Sequence, residues 1–232
     1  MIVDFHVHTR GSRDSGMDPM RIIEVARRAG LDAIAVCDHN SIAVAQELAA
    51  GIPEATRDGV PGLLVIVGEE IRTAEGEIIG YFLSEAIPKG LTPEETVDRI
   101  VEQGGVVSVP HPFDRFRHSP LTRSALERIA PRLHAVEGLN ARNLAYADDA
   151  AARDWASSRG LSCLAGSDAH TYREVGRACT ELPAFDSAAT LLGALPHARL
   201  VGSHSNPAVH LVTAVRKRLP QRANGRMKGR GE

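Results

Sequence analysis

The chain has 232 residues, 43% hydrophobic, 24% charged and only 4% aromatic, a composition that excludes intrinsic disorder and suits one soluble globular domain with a substantial core. Its formal charge of −2 hides an asymmetry: 216–232 carries seven Lys or Arg against one Glu, leaving 20 basic and 28 acidic residues, a net of −8, in the rest. A body of that sign argues against a general nucleic-acid binder.

The Gly-, Arg- and Asn-rich end reads as a basic flexible tail over 220–232, behind a single domain over 1–219. Cys37, Cys163 and Cys179 are too few and too unpatterned for a disulfide framework or a zinc knuckle. A reducing, cytoplasmic setting is expected. No charged leader precedes a long apolar stretch, and no apolar run approaches a membrane span, so neither secretion nor anchoring is expected.

Short apolar runs alternate with helical periodicity, the rhythm of strands joined by crossover helices. Ile2 to His8 reads as a strand. Asp18-Pro19 is an N-cap followed by proline at the first helical position, and Ile22, Ile23, Val25 and Ala26 give that helix an apolar face before Gly30 ends it. Ala33 to Cys37 is the second strand, with a helix from about Ile42. Leu63 to Val67 runs as a third strand into Gly68-Glu69-Glu70, and Glu77 to Leu83 is an added strand after a turn at Glu75-Gly76. Thr92-Pro93-Glu94-Glu95 starts a helix that stops at Gly104-Gly105, before the strand Val106 to Val109. His134 to Leu139 and Leu161 to Ala165 continue the pattern, with loops at Gly59 to Gly62 and Pro88 to Gly90.

Chemistry gathers at the strand ends. Side chains two apart on a strand share a face, so His6 and His8 can grip one metal ion, and Asp4, expected on that same face, is the natural acceptor for an imidazole N–H. Asp38-His39 ends the second strand, Glu69-Glu70 the third; His111 follows Val106 to Val109, and Asp168-Ala169-His170 follows the strand before Gly166. Barrel enzymes build their sites on that face. No Ser/His/Asp or Cys/His nucleophile arrangement is apparent.

In this order, Asp4-Phe5-His6-Val7-His8-Thr9, Asp38-His39, Gly68-Glu69-Glu70-Ile71, His111-Pro112-Phe113 and Gly166-Ser167-Asp168-Ala169-His170 resemble the motifs of the PHP family, named for polymerase and histidinol phosphatase domains. The resemblance spans Ile2 to about Leu182. It implies an α/β fold, a distorted (β/α)7 TIM-like barrel, holding two or three divalent ions (manganese, iron or zinc) and hydrolysing phosphate esters by metal-activated hydroxide. It further implies that His6, His8, Glu70 and Asp168 bind a first ion, that Glu70 bridges to a second shared with His111, and that His39, His170 and Asp14 hold a third. Asp168 would also orient the attacking water and, with His170, form the catalytic pair.

Two departures stand out. Where relatives often carry a histidine after the glycine that follows the Gly-x-Glu motif, this chain has Glu77, expected to point into the site and enrich the second position in oxygen. Cys37 stands where threonine is frequent and reads as a small buried residue.

Arg115, Arg117 and His118, with Asn140 and Arg142, form a candidate clamp for an anionic substrate, against the competing reading of a solvated surface. His134, His197, His204 and His210 match no motif and read as packing or surface residues, and Asp18 as a helix cap. The expected partner is a small phosphorylated metabolite, a nucleotide or a short oligonucleotide, with no membrane and no obligate protein partner. Two rivals are a metal-dependent amidohydrolase, which would normally add a strand-borne lysine, and a non-catalytic metal-binding regulatory module, which would be expected to have lost ligands.

Overall fold

Strand β1, Ile2–Val7, is buried along almost its whole length, and the fold is organised around it. The computed structural model describes residues 1–51, 62–117 and 119–218; the expected loop at Gly59 to Gly62 falls almost wholly outside them, as do His118 and the 220–232 tail. Helix α1, Pro19–Arg28, is capped by Asp18, whose carboxylate accepts from the Arg21 amide, and it buries Ile22, Ile23 and Ala26. Gly30 supplies the positive φ, +75°, that turns the chain out of this helix.

Then come β2, Ala33–Val36; α2, Ala43–Gly51; β3, Leu64–Thr73; and β4, Gly76–Tyr81. Helix α3, Pro93–Glu102, has a reciprocal capping box between Thr92 and Glu95. It leads into β5, Val106–Val109, α4, Arg123–Ile129, β6, Ala135–Asn140, α5, Tyr146–Ser157, and β7, Ser162–Gly166. The chain finishes with β8, Ala178–Glu181, α6, Ala188–Ala194, β9, Arg199–Gly202, and α7, Val209–Arg218.

The strands form one sheet in the order β7-β6-β5-β4-β3-β2-β1-β8-β9. Its two ends curl toward each other into a nearly closed barrel: Val7 bridges Ala169, the His8 amide donates to the Ala169 carbonyl at 3.0 Å, and the Ala165 amide donates to Thr180 Oγ1 at 2.8 Å. The expected TIM-like class holds, but among the described residues the sheet has nine strands. The βα rhythm is interrupted by β4, antiparallel to both β3 and β5, and by β8, antiparallel to β1 and β9. Sequence reading finds β4 and misses β8 and β9, which are four residues each and lack a period-2 signature. Among the described residues no helix is long and apolar enough to cross a membrane.

Apolar side chains fill both sides of the sheet. Phe5, Cys37, Ile66, Ile79, Tyr81 and Leu164 pack in one buried cluster, while Ile34, Val36 and Val7 pack against Ile22, Ile23 and Ala26 of α1 in another. Cys37 is a buried packing residue, as the sequence suggests.

A register shift in β1 matters for the site. Asp4 lies beside Ile34 and Val7 beside Val36, so both neighbours of β1 face the α1 layer although Asp4 and Val7 are three residues apart. Strict alternation would put them on opposite faces; the irregularity between them restores His6 and His8 to the inner side and leaves Asp4 outside it.

Candidate metal centre

His6 and His8 meet through their ring nitrogens, with the two Nε2 atoms 3.0 Å apart and both side chains fully buried. The outer nitrogen of each ring is committed elsewhere. His6 Nδ1 lies 2.7 Å from Glu137 Oε1, and His8 Nδ1 lies 3.0 Å from Ser12 Oγ, which donates in turn to Asp38 Oδ1 at 2.7 Å. Thr9 holds the other Asp38 oxygen through a short hydroxyl hydrogen bond. These partners set Nδ1–H tautomers on both rings and leave the Nε2 lone pairs facing inward.

Carboxylates converge on the same point. Glu70 Oε2 is 3.5 Å from His6 Nε2 and 3.4 Å from His8 Nε2, and Asp168 Oδ1 is 3.9 Å and 3.3 Å from them. Asp168 Oδ1 is buried with no hydrogen-bond partner. Two imidazole lone pairs at 3.0 Å and two carboxylates need a positive charge between them, either a proton or a metal ion. The electrostatics say the same. Burial would depress the His6 imidazole, but Glu137, Asp168 and Glu70 push it well above its ordinary range. His8, buried and beside His170, is lowered to about 4 and stays neutral. Burial opposes ionisation of Glu70 and Asp168, yet His39 and His6 on the former, and Arg117 and His6 on the latter, hold both carboxyls well below the usual range. This donor set, nitrogen and oxygen with an oriented outer layer, fits a divalent ion.

The other residues extend the cluster. Glu70 Oε1 faces His111 Nε2 at 3.1 Å, and Glu70 Oε2 faces His39 Nδ1 at 3.0 Å. Glu77 is buried, with Oε2 3.9 Å from His111 Nε2; burial and the nearby Glu70 raise its pKa. Asp14 lies between His39 Nε2, at 3.5 Å, and His170 Nε2, at 3.3 Å. Among the described residues, three groups bring ligand atoms within 4.8 Å of one another: His6/His8/Glu70, His39/Glu70/Glu77 and His8/His39/His170.

Backbone geometry serves this packing. Asn40, His111 and Asp168 adopt positive φ (52°, 31° and 52°) at the turns that follow three strands, a conformation costing non-glycine residues on the order of 1 kcal/mol each. At Gly166 a Cβ would lie 2.3 Å from His6 Cβ and 2.7 Å from Glu137 Oε1, so only glycine lets β7 approach β1 across the His6–Glu137 pair.

Several expected positions need correcting. Asp4 does not serve His6 or His8; it accepts from the amides of His6, Ser167 and Gly176, and burial raises its pKa to about 6. Glu137, from the next strand but one along the curled sheet, takes the role instead. Its only sequence signal is a lone carboxylate in the strand Ala-Val-Glu-Gly-Leu-Asn.

Arg115 is exposed and tied to Asp148 on the first turn of α5, with Nε and Nη2 at 2.9 and 2.7 Å from Oδ1, so it does not line the cleft. Asn140 is fully buried beneath the cleft, bridging Glu137 Oε2 at 2.9 Å and Asp168 Oδ2 at 3.4 Å. Arg117 does reach the site: it makes a short contact to Asp168 Oδ2 and donates to Asp114 Oδ2 at 2.9 Å. Arg117 and Arg142 both border an open cleft of about 1000 Å³ above Asp168, His170, His39 and Glu77.

Of the four histidines read as packing or surface, His134 accepts from the Val107 amide and His204 pairs with Asp149 at 2.6 Å. His210, by contrast, lines the cleft together with Thr213.

A family model described as PHP-associated matches residues 150–200. The uncharacterized protein MJ1587 of Methanocaldococcus jannaschii is 40% identical over 152 residues, covering 61% of this chain and 82% of that protein. A two-domain protein from Bacteroides vulgatus, containing a predicted PHP-like metal-dependent phosphoesterase, superposes with a TM-score of 0.68 at 22% identity, over 88% of this chain and 65% of that one. This chain belongs to the PHP family. A similar fold recurs in the lesion-specific endonuclease PfuEndoQ of Pyrococcus furiosus, with a TM-score of 0.61 at 15% identity over 89% of this chain and 60% of that one.

Proposed function

We propose that this PHP protein is a metal-dependent phosphoesterase that hydrolyses the phosphomonoester of a small phosphorylated metabolite, a nucleotide or a short oligonucleotide. The single observation that carries the reading is the buried pair of Nε2 lone pairs on His6 and His8, faced by Glu70 and the unpartnered Asp168 Oδ1. His6, His8, Glu70 and Asp168 would hold one ion, Glu70 with His111 and Glu77 a second, and His39, His170 and Asp14 a third. Bound divalent ions supply Lewis acidity, lowering the pKa of a water and neutralising charge on the phosphoryl oxygens.

The chain's own side chains do the rest. Arg117, only partly buried and with its pKa raised by Asp168, Glu70 and Asp114, and Arg142 offer guanidinium donors to the non-bridging phosphoryl oxygens. Asp168, held ionised, accepts a hydrogen bond from the attacking water and orients it. His170, whose Nδ1 donates to the Asp168 carbonyl at 2.8 Å, keeps its Nε2 on the same side of the site. Exposed Phe116 and Leu144 at the rim offer apolar surface to the organic part of the ester. Solved structures of this shape include a protein containing a predicted phosphoesterase, an endonuclease and an amidohydrolase, so the preference for phosphate-ester over amide hydrolysis rests on the guanidinium groups that border the cleft. The three free cysteines support a reducing, cytoplasmic setting.

The test is phosphate release from a panel of phosphorylated metabolites, nucleotides and short oligonucleotides by protein loaded separately with manganese, iron(II) or zinc, with metal content measured alongside. Release that requires metal is expected, with the oxygen-rich Glu77 position letting manganese or iron(II) compete with zinc. Equal turnover by fully chelated protein would refute the reading.

A further inference from the structure

Helix α7 is an odd helix for a folded domain. Leu211, Val212 and Val215 are 69, 55 and 52% exposed, and Thr213 is buried. Hydrophobic burial does not explain why it is docked. Among the described residues, the side-chain hydrogen bonds that tie it to the rest of the chain converge on one residue instead. Thr213 Oγ1 accepts from Arg142 Nη2 at 2.7 Å, and His210 Nε2 lies 3.0 Å from the Arg142 carbonyl oxygen. One residue upstream of Arg142, the Ala141 carbonyl accepts from the Ser205 amide at 2.6 Å, on the segment that leads into α7.

The remaining contacts fix the guanidinium from the other side. The Arg142 amide donates to Asn140 Oδ1 at 2.9 Å, and Nε lies 3.5 Å from Glu174 Oε1. Glu174 uses its second oxygen to accept from the amides of His170 and Thr171. The side chain of Arg142 is only 3% exposed, and Nη1 is buried with no hydrogen-bond partner. A desolvated guanidinium with one nitrogen unsatisfied is costly, and its natural complement is an oxyanion. Arg142, His210 and Thr213 all line the cleft that contains Asp168 and His170.

We propose that α7 is the closing wall of the substrate site and that Thr213 is a positioning residue: by holding Nη2 of Arg142 it fixes the guanidinium at the cleft wall and leaves the unpartnered Nη1 as the donor that a phosphoryl oxygen would take up. His210 does the same for the Arg142 backbone. This rests on the phosphoesterase reading for the identity of the anion, but the geometry asks only for an oxyanion of phosphate size.

The experiment is equilibrium dialysis of labelled orthophosphate against the full chain saturated with manganese, with bound metal and thermal melting recorded for every variant. Thr213→Val and Thr213→Ala should each weaken phosphate binding about tenfold, the loss of one hydrogen bond to a charged group. Thr213→Ser should restore parental affinity. Leu211→Ala, on the exposed side of the same helix, should bind like the parent. Metal content should be equal throughout, and with an ester substrate Thr213→Val should raise KM while leaving kcat. Parental affinity in Thr213→Val and Thr213→Ala, failure of Thr213→Ser to restore binding, or a parent that binds no phosphate overturns the proposal. If the loaded parent binds phosphate in this pattern but releases none from any ester, the catalytic reading fails and this one stands.

Discussion

Glu69 and Glu70 are neighbours on β3, both almost wholly buried, and they have opposite fates. Glu70 turns into the barrel among His6, His39 and His111, and the imidazoles hold its carboxyl ionised against the cost of burial. Glu69 turns the other way. Its Oε2 accepts from the Ile87 amide at 2.8 Å, its Oε1 has no partner, and burial lifts its pKa to about 7. One residue of strand alternation separates a carboxylate suited to hold a cation from one suited to hold a proton. The difference teaches that burial alone does not make a functional carboxylate; the charge of what faces it does.

The largest effect expected from that contrast is on turnover. Glu70→Gln removes the one carboxylate shared by two of the candidate metal groups and should lower metal-supported phosphate release by about a thousandfold or more, while Glu69→Gln leaves both metal stoichiometry and turnover near parental. Steady-state kinetics with metal analysis checks it, and comparable losses in the two variants would erase the functional distinction.

A smaller effect is expected one layer out. Glu137 orients His6 but touches no cleft surface, so Glu137→Gln should weaken metal binding roughly 10- to 100-fold through the imidazole it holds. Asp4→Asn, whose carboxylate serves backbone amides, should shift melting temperature with metal affinity retained. Competition with a chelator of known strength reads the first; the reverse ranking would restore Asp4 as the partner of the histidines.

The smallest effect is in stability against pH. The folded-state pKa of Glu69, about 7, lies above the 4.5 expected of an unfolded chain, so the folded protein holds this proton more tightly. Its contribution to stability is complete below about pH 4.5 and is lost as pH rises through 7. The difference in urea midpoint between the parent and Glu69→Gln should therefore move in favour of the variant between pH 5 and pH 8. A pH-independent difference would mean that Glu69 is ionised throughout.

Much of this was legible in the residues. His6-Val7-His8 on a strand, a carboxylate at Glu70, His111 and Asp168-Ala169-His170 at later strand ends are local patterns, and period-2 alternation plus the parallel βα rhythm suffices to bring them to one end of a barrel. Helix caps at Asp18 and Thr92 were equally plain, because the residues that make them are adjacent in sequence. Periodicity did not reveal where it would break: the shift in β1 took Asp4 off the histidine face, and no local signal announced it.

Tertiary structure alone decided the rest. Glu137 reaches His6 across 131 positions, Thr213 reaches Arg142 across 71, and Asp148 draws Arg115 away from the cleft across 33. Each is a choice among several polar residues made by how the sheet curls and where α7 docks. Sequence determined which side chains were available and which way most strands faced; closure of the barrel determined which of them met, because a hydrogen bond or an ion pair acts over only a few ångströms and pattern carries no information about distance across the fold.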